Sequence, residues 1–107
     1  MKWGTAINNF KTYLKIERGL SDNSIVSYEN DINKLSNFLL DKNKSISPIK
    51  VSPDLIKEFI YSISNSINPT SQSRIISGLR SFYEYLIFEK YIKNNPLSLI
   101  ESPRISR

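Results

Sequence analysis

Thr70-Ser71-Gln72-Ser73-Arg74-Ile75-Ile76-Ser77-Gly78-Leu79-Arg80-Ser81-Phe82-Tyr83-Glu84-Tyr85-Leu86 decides the reading of this 107-residue chain. Its apolar residues fall at Ile75, Ile76, Leu79, Phe82, Tyr83 and Leu86, with Ile87 following. Steps of three and four place them on one stripe of an α-helix; a half-buried strand would alternate instead. Asn68-Pro69 opens the stretch with a capping residue followed by proline at the first helical position. Asn94-Asn95-Pro96 is the stop signal beyond it, because proline disfavours helix in the residue before it.

The same grammar repeats upstream. Ser52-Pro53-Asp54 starts a helix whose buried face is Leu55, Ile56, Phe59, Ile60 and Ile63. Ser21-Asp22-Asn23-Ser24 starts another, with Ile25, Tyr28, Ile32, Leu35, Phe38 and Leu39 along one side, fading at residues 41–45. Before it, Trp3, Ala6, Ile7, Phe10, Tyr13 and Leu14 form a stripe that ends at Gly19, which suits a left-handed residue after a helix. These patterns predict four helices near 3–17, 22–41, 53–65 and 69–90 with no sheet, and a short turn at 97–100 that packs back. The fold class is all-α, a four-helix bundle. The stripe positions suffice for one core.

Composition narrows the function. With 15 Lys+Arg against 10 Asp+Glu the net charge is +5. There is no Cys, which excludes a disulfide framework and a thiolate metal site, and no His, the commonest general base and metal ligand. No catalytic set and no metal or cofactor site is expected. No apolar run approaches the ~18–20 residues of a membrane span, so no membrane partner is expected either. A basic domain of this kind points first to a polyanion. The abundance of Asn, Ile, Lys and Ser is read as an AT-rich coding sequence.

The polar face of the last helix is the informative surface. Thr70, Arg74, Ser77 and Ser81 form one row, flanked by Ser71, Ser73, Arg80 and Glu84. Small hydroxyl side chains allow close approach to a phosphate backbone, and arginine can fork onto a phosphate or a guanine edge. Backbone N–H groups at the Asn68-Pro69-Thr70-Ser71 opening offer an anion site. Ser24 and Ser27 are small residues on the second helix, with Glu29 and Asp31 nearby to repel phosphate unless paired. Taken alone, each row also fits an ordinary solvated helix face. Tyr85, Phe88 and Tyr91 read as partly exposed aromatics, either rim packing or a contact with a neighbour.

Two blocks resemble the N-terminal core-binding domain of the tyrosine recombinases, Xer-type members above all. One is Tyr13-Leu14 through Glu17-Arg18-Gly19-Leu20-Ser21, Asn23-Ser24, Tyr28 and Asp31-Ile32. The other is Ser73-Arg74, Ser77, Leu79-Arg80, Phe82-Tyr83 and Tyr85-Leu86, then Asn95-Pro96 and Ser102-Pro103-Arg104. The resemblance covers essentially the whole chain. It implies a SAM-like four-helix bundle whose second and fourth helices face the major groove. It also implies a C-terminal catalytic domain, absent here, that supplies two Arg, a Lys, His and a Tyr nucleophile. Double-stranded DNA and other recombinase protomers are the implied partners, in a cytoplasmic setting.

Carried over, the DNA-facing residues are Ser24, Ser27, Thr70, Ser71, Ser73, Arg74, Ser77 and Arg80, with residues 1–101 as the domain and 102–107 as the start of a linker. Glu29-Asn30 departs from the basic residues that many relatives carry there. A stand-alone helical DNA-binding regulator and a protein-interaction bundle remain as alternatives. Chromosome-dimer resolution and phage or transposon integration are equally open to the sequence.

Overall fold

A computed structural model describes residues 2–42, 46–98 and 100. It is all-α, as the stripes predict: α1 (Trp3–Ile16), α2 (Asp22–Asp41), a 3₁₀ turn (Pro48–Lys50), α3 (Pro53–Ser64) and α4 (Pro69–Phe88), with no strand among the described residues. The chain divides into two compact units, Met1–Lys50 and Val51–Arg107.

In the first unit α1 packs on α2. Ala6, Ile7, Phe10 and Leu14 are buried on α1, and Ile25, Ile32, Leu35 and Leu39 on α2. Phe10 meets the Tyr28 ring edge-on, with centroids 5.9 Å apart, and stacks with Tyr13 at 6.4 Å. Burial of each large side chain of this kind contributes about 1.5–3 kcal/mol. The corner is built as expected: Gly19 takes φ +61°, where a Cβ would be strained, and the Leu20 N–H turns back to the Leu14 carbonyl at 3.1 Å. Ser21 caps α2, its hydroxyl accepting from the Ser24 N–H, with Asp22 in the first turn. At the far side of this unit the Trp3 indole N–H donates to the Ile46 carbonyl at 2.8 Å.

In the second unit α3 packs on α4. Ser52 caps α3 through the Leu55 N–H, and Pro53 occupies the first turn. Ile56 and Phe59 are buried on α3; Ile75, Ile76, Leu79, Phe82, Tyr83, Tyr85 and Leu86 are buried on α4. Tyr85 therefore belongs to the core and not to the exposed aromatics, whereas Phe88 and Tyr91 are exposed. The Tyr83 hydroxyl is buried without a hydrogen-bond partner among the described residues, and burial pushes its phenol well above the ordinary range.

Helix α4 stops at Phe88, two residues before the expected end and well before Asn94-Asn95-Pro96. Lys90 adopts φ +65°, so the Tyr91 N–H reaches the Leu86 carbonyl and the Lys90 N–H the Ile87 carbonyl, both at 2.9 Å. That pair of bonds is the Schellman closure, here made with lysine where glycine is usual. The chain then runs back: Pro96, Leu97 and Ile100 are buried, as the expected packing turn requires. The expected linker at 102–107 lies outside the described residues.

Candidate nucleic-acid interface

Helix α4 opens at Asn68, whose side-chain oxygen accepts the Ser71 N–H at 2.8 Å. Pro69 has no N–H to give. The opening therefore presents fewer free donors than its sequence implies, since the cap uses one and the imino acid removes another. No acidic residue lies in this first turn, whereas α2 and α3 place Asp22 and Asp54 there. The positive end of the α4 dipole is thus left without a carboxylate in its own first turn.

Along α4 the sequence-derived row is real as a face. Thr70, Ser71, Arg74 and Ser77 are exposed; Ser73, Arg80 and Ser81 are partly buried. Exposed Arg74 and Ser77 stand one turn apart, as the spacing predicted. Arg80 differs. Its Nη2 donates to the Ile100 carbonyl at 2.8 Å, while the Arg80 carbonyl accepts from the Asn95 amide at 3.2 Å. Glu84, beside it, accepts from the same amide at 3.1 Å. Two of the charged groups on this face are therefore engaged with the chain that follows the helix.

On α2, Ser24 is half-buried and its hydroxyl lies 3.2 Å from the Ser21 hydroxyl, which donates to it; Ser24 is thus part of the cap arrangement. Ser27 is half-buried one turn on. The two acids that threatened this face are both accounted for. Asp31 is buried, at 6% exposure. Glu29 pairs with Lys11 of α1 at 3.2 Å. Sequence reasoning could not find this pair, because the partners sit on different helices. It missed the Asn95 contacts as well, although Asn95-Pro96 was conspicuous as a stop.

The described residues contain no cluster of His, Cys, Asp or Glu able to hold a metal ion, and no helix long and apolar enough to cross a membrane. The face offers hydroxyls, a guanidinium and a helix start: groups that bind an anion or hydrogen-bond a polar edge.

The sequence profile described as "Phage integrase, N-terminal SAM-like domain" matches residues 7–90, most of the chain. The chain belongs to this family. The profile takes in α2, α3, α4 and residues 7–16 of α1, and its SAM-like description agrees with the all-α architecture. Among curated proteins, the chain is similar to a tyrosine recombinase XerD of Oceanobacillus iheyensis, at 38% identity over 95% of this chain and 35% of that protein. A tyrosine recombinase XerC of Thermodesulfovibrio yellowstonii is 35% identical over 94% of this chain and 32% of its own length. A tyrosine recombinase XerD of Rickettsia bellii is 36% identical over 92% and 32%. The chain thus spans about a third of the length of these relatives. No solved structure matches it at a significant level.

Proposed function

We propose that this chain is the DNA-binding N-terminal part of a Xer-type site-specific tyrosine recombinase. It grips duplex DNA through the α4 row of Thr70, Ser71, Ser73, Arg74 and Ser77, with Ser24 and Ser27 on α2 as further contacts. Strand exchange through a phosphotyrosyl intermediate belongs to a catalytic domain beyond this chain. Other protomers on the recombination site are its protein partners, and the cytoplasm is its setting.

The observation that carries the reading is the exposure of Thr70, Arg74 and Ser77 on one helix face whose first turn holds no acid. Small side chains around an exposed arginine fork suit close approach to a phosphate backbone, with phosphates positioning and base edges specifying. The Lys11–Glu29 pair supports a contribution from α2, because it neutralises the acid next to Ser27. The net charge of +5 is modest, so few counterions are released and binding by this part alone is weak and salt-sensitive. A tethered second domain would raise the effective concentration.

The test is an NMR titration of the chain with duplex DNA carrying a cognate half-site. Shifts concentrated from Thr70 to Ser77 are expected. Shifts confined to α3, with that stretch unmoved, overturn the reading.

A further inference from the structure

Asn95 is one of the few polar residues in the interior, 6% exposed. Its side-chain oxygen accepts the Leu97 N–H at 2.9 Å, and that donor fixes which way the amide faces. The amide nitrogen then points to the α4 face, donating to the Arg80 carbonyl at 3.2 Å and to Glu84 Oε1 at 3.1 Å. The Asn95 carbonyl accepts the Ser98 N–H, and the Ile100 N–H donates to the Leu97 carbonyl, each at 3.0 Å. Leu97 is fully buried and Ile100 nearly so. At the outer end the Arg80 guanidinium closes on the Ile100 carbonyl at 2.8 Å. The segment after α4 is therefore seated by two apolar side chains and bolted at both ends to successive turns of the same helix. Both ends carry a charge-assisted bond, through the Glu84 carboxylate at the inner end and the Arg80 guanidinium at the outer one.

We propose that Arg80 is a positioning residue: together with Asn95 it fixes the point at which the polypeptide leaves α4. The chain beyond Ile100 then departs from a set place on the proposed DNA-facing helix instead of from a swivel. In this assignment the Arg80 guanidinium is directed to the exit and is not a phosphate contact. The lock itself stands on the hydrogen bonds alone; only its link to DNA rests on the proposed function.

The experiment is amide hydrogen exchange on the chain and its Arg80→Gln, Arg80→Lys and Asn95→Ala variants, read at Leu97, Ser98 and Ile100. Arg80→Gln is expected to speed exchange at Ile100 by about tenfold or more, the effect of losing one charge-assisted bond, while amides from Ile75 to Phe82 hold their protection. Arg80→Lys, which keeps a cationic donor, restores part of the protection. Unchanged exchange at Ile100 in Arg80→Gln overturns the proposal. Should that variant lose helicity, Asn95→Ala, which replaces no residue of the helix, is read at Ser98 and Ile100, and unchanged exchange there overturns the proposal equally.

A second arm measures duplex affinity against salt. Arg80→Gln is expected to leave the slope of log affinity on log salt unchanged; a fall of about 0.9 marks a phosphate contact and refutes the assignment. If the unsubstituted chain binds no duplex, the proposed function fails, and the exchange arm still decides the lock.

Discussion

Lys11 Nζ lies 3.2 Å from Glu29 Oε1, so a lysine of α1 neutralises one of the two acids on α2 that the sequence set against a phosphate partner. Both side chains remain partly exposed, and a pair of that kind stabilises little. Lys11→Ala is expected to change unfolding free energy by no more than about 0.2–1 kcal/mol. Its effect on duplex affinity is larger in proportion, because Glu29 is released to repel phosphate. Glu29→Gln moves affinity the opposite way. Urea titration and a duplex-binding isotherm on the same preparations separate the two effects.

Arg74→Ala is expected to weaken duplex binding and to lower the salt slope by about 1 if the guanidinium meets phosphate. A bidentate contact to a base edge instead costs ~1–3 kcal/mol and relaxes preference at one position of the half-site. Fluorescence anisotropy with cognate and scrambled duplexes tells the two apart. Equal affinity of the variant and the parent chain for both duplexes removes Arg74 from the interface.

Tyr83→Phe deletes a buried hydroxyl that has no partner among the described residues. The expected outcome is a gain of roughly 1 kcal/mol, since an unsatisfied buried polar group is a net cost. The pH dependence has a definite sign. The folded-state pKa lies above the ordinary tyrosine value of 10.0, so folded and unfolded states are both neutral below it. As pH rises past 10.0 the unfolded phenol ionises first, the unfolded state binds fewer protons, and stability falls. The variant lacks that contribution. Urea midpoints of both proteins on either side of this pH test the claim.

Lys90 holds φ +65°, a conformation that costs an L-residue about 1–2 kcal/mol. Lys90→Gly relieves this strain but adds freedom to the unfolded chain, for a net gain of roughly 0.5 kcal/mol. Lys90→Val, β-branched, should be the opposite case. A thermal melt of the three proteins gives the order directly.

The starts of α2, α3 and α4 were legible because Ser21, Ser52 and Asn68 cap through their own side chains, a property local to a few residues. The buried stripes followed from spacing alone. The end of α4 was not legible: nothing in lysine signals a left-handed residue, and the Schellman bonds come from the way the last turn closes. Tyr85 sits at the flank of its stripe, where burial depends on how wide a face the fold covers. Arg74 and Arg80 read alike as two cations on one helix. What distinguishes them is a carbonyl twenty positions along, and a contact of that range is set by tertiary structure. The serines of the candidate face were legible as positions on helices, yet the Ser21–Ser24 hydroxyl contact emerged only with the cap geometry.

A nicked suicide duplex incubated with this chain is expected to yield no covalent adduct. No His is present to serve a family-type catalytic motif. Denaturing electrophoresis with a labelled strand is the check, and a shifted band mapping to any of the six tyrosines overturns the expectation.

Trp3 is the sole tryptophan of the chain, and its indole is held by Ile46 across 43 positions. Both residues belong to the Met1–Lys50 unit. Its emission therefore reports from a residue of that unit, whereas circular dichroism sums the helices of both units. Following one denaturant titration by both signals asks whether the chain melts in one step or two. Superimposable curves mean that the two helical hairpins stand or fall together; curves that part mean that each hairpin keeps a stability of its own.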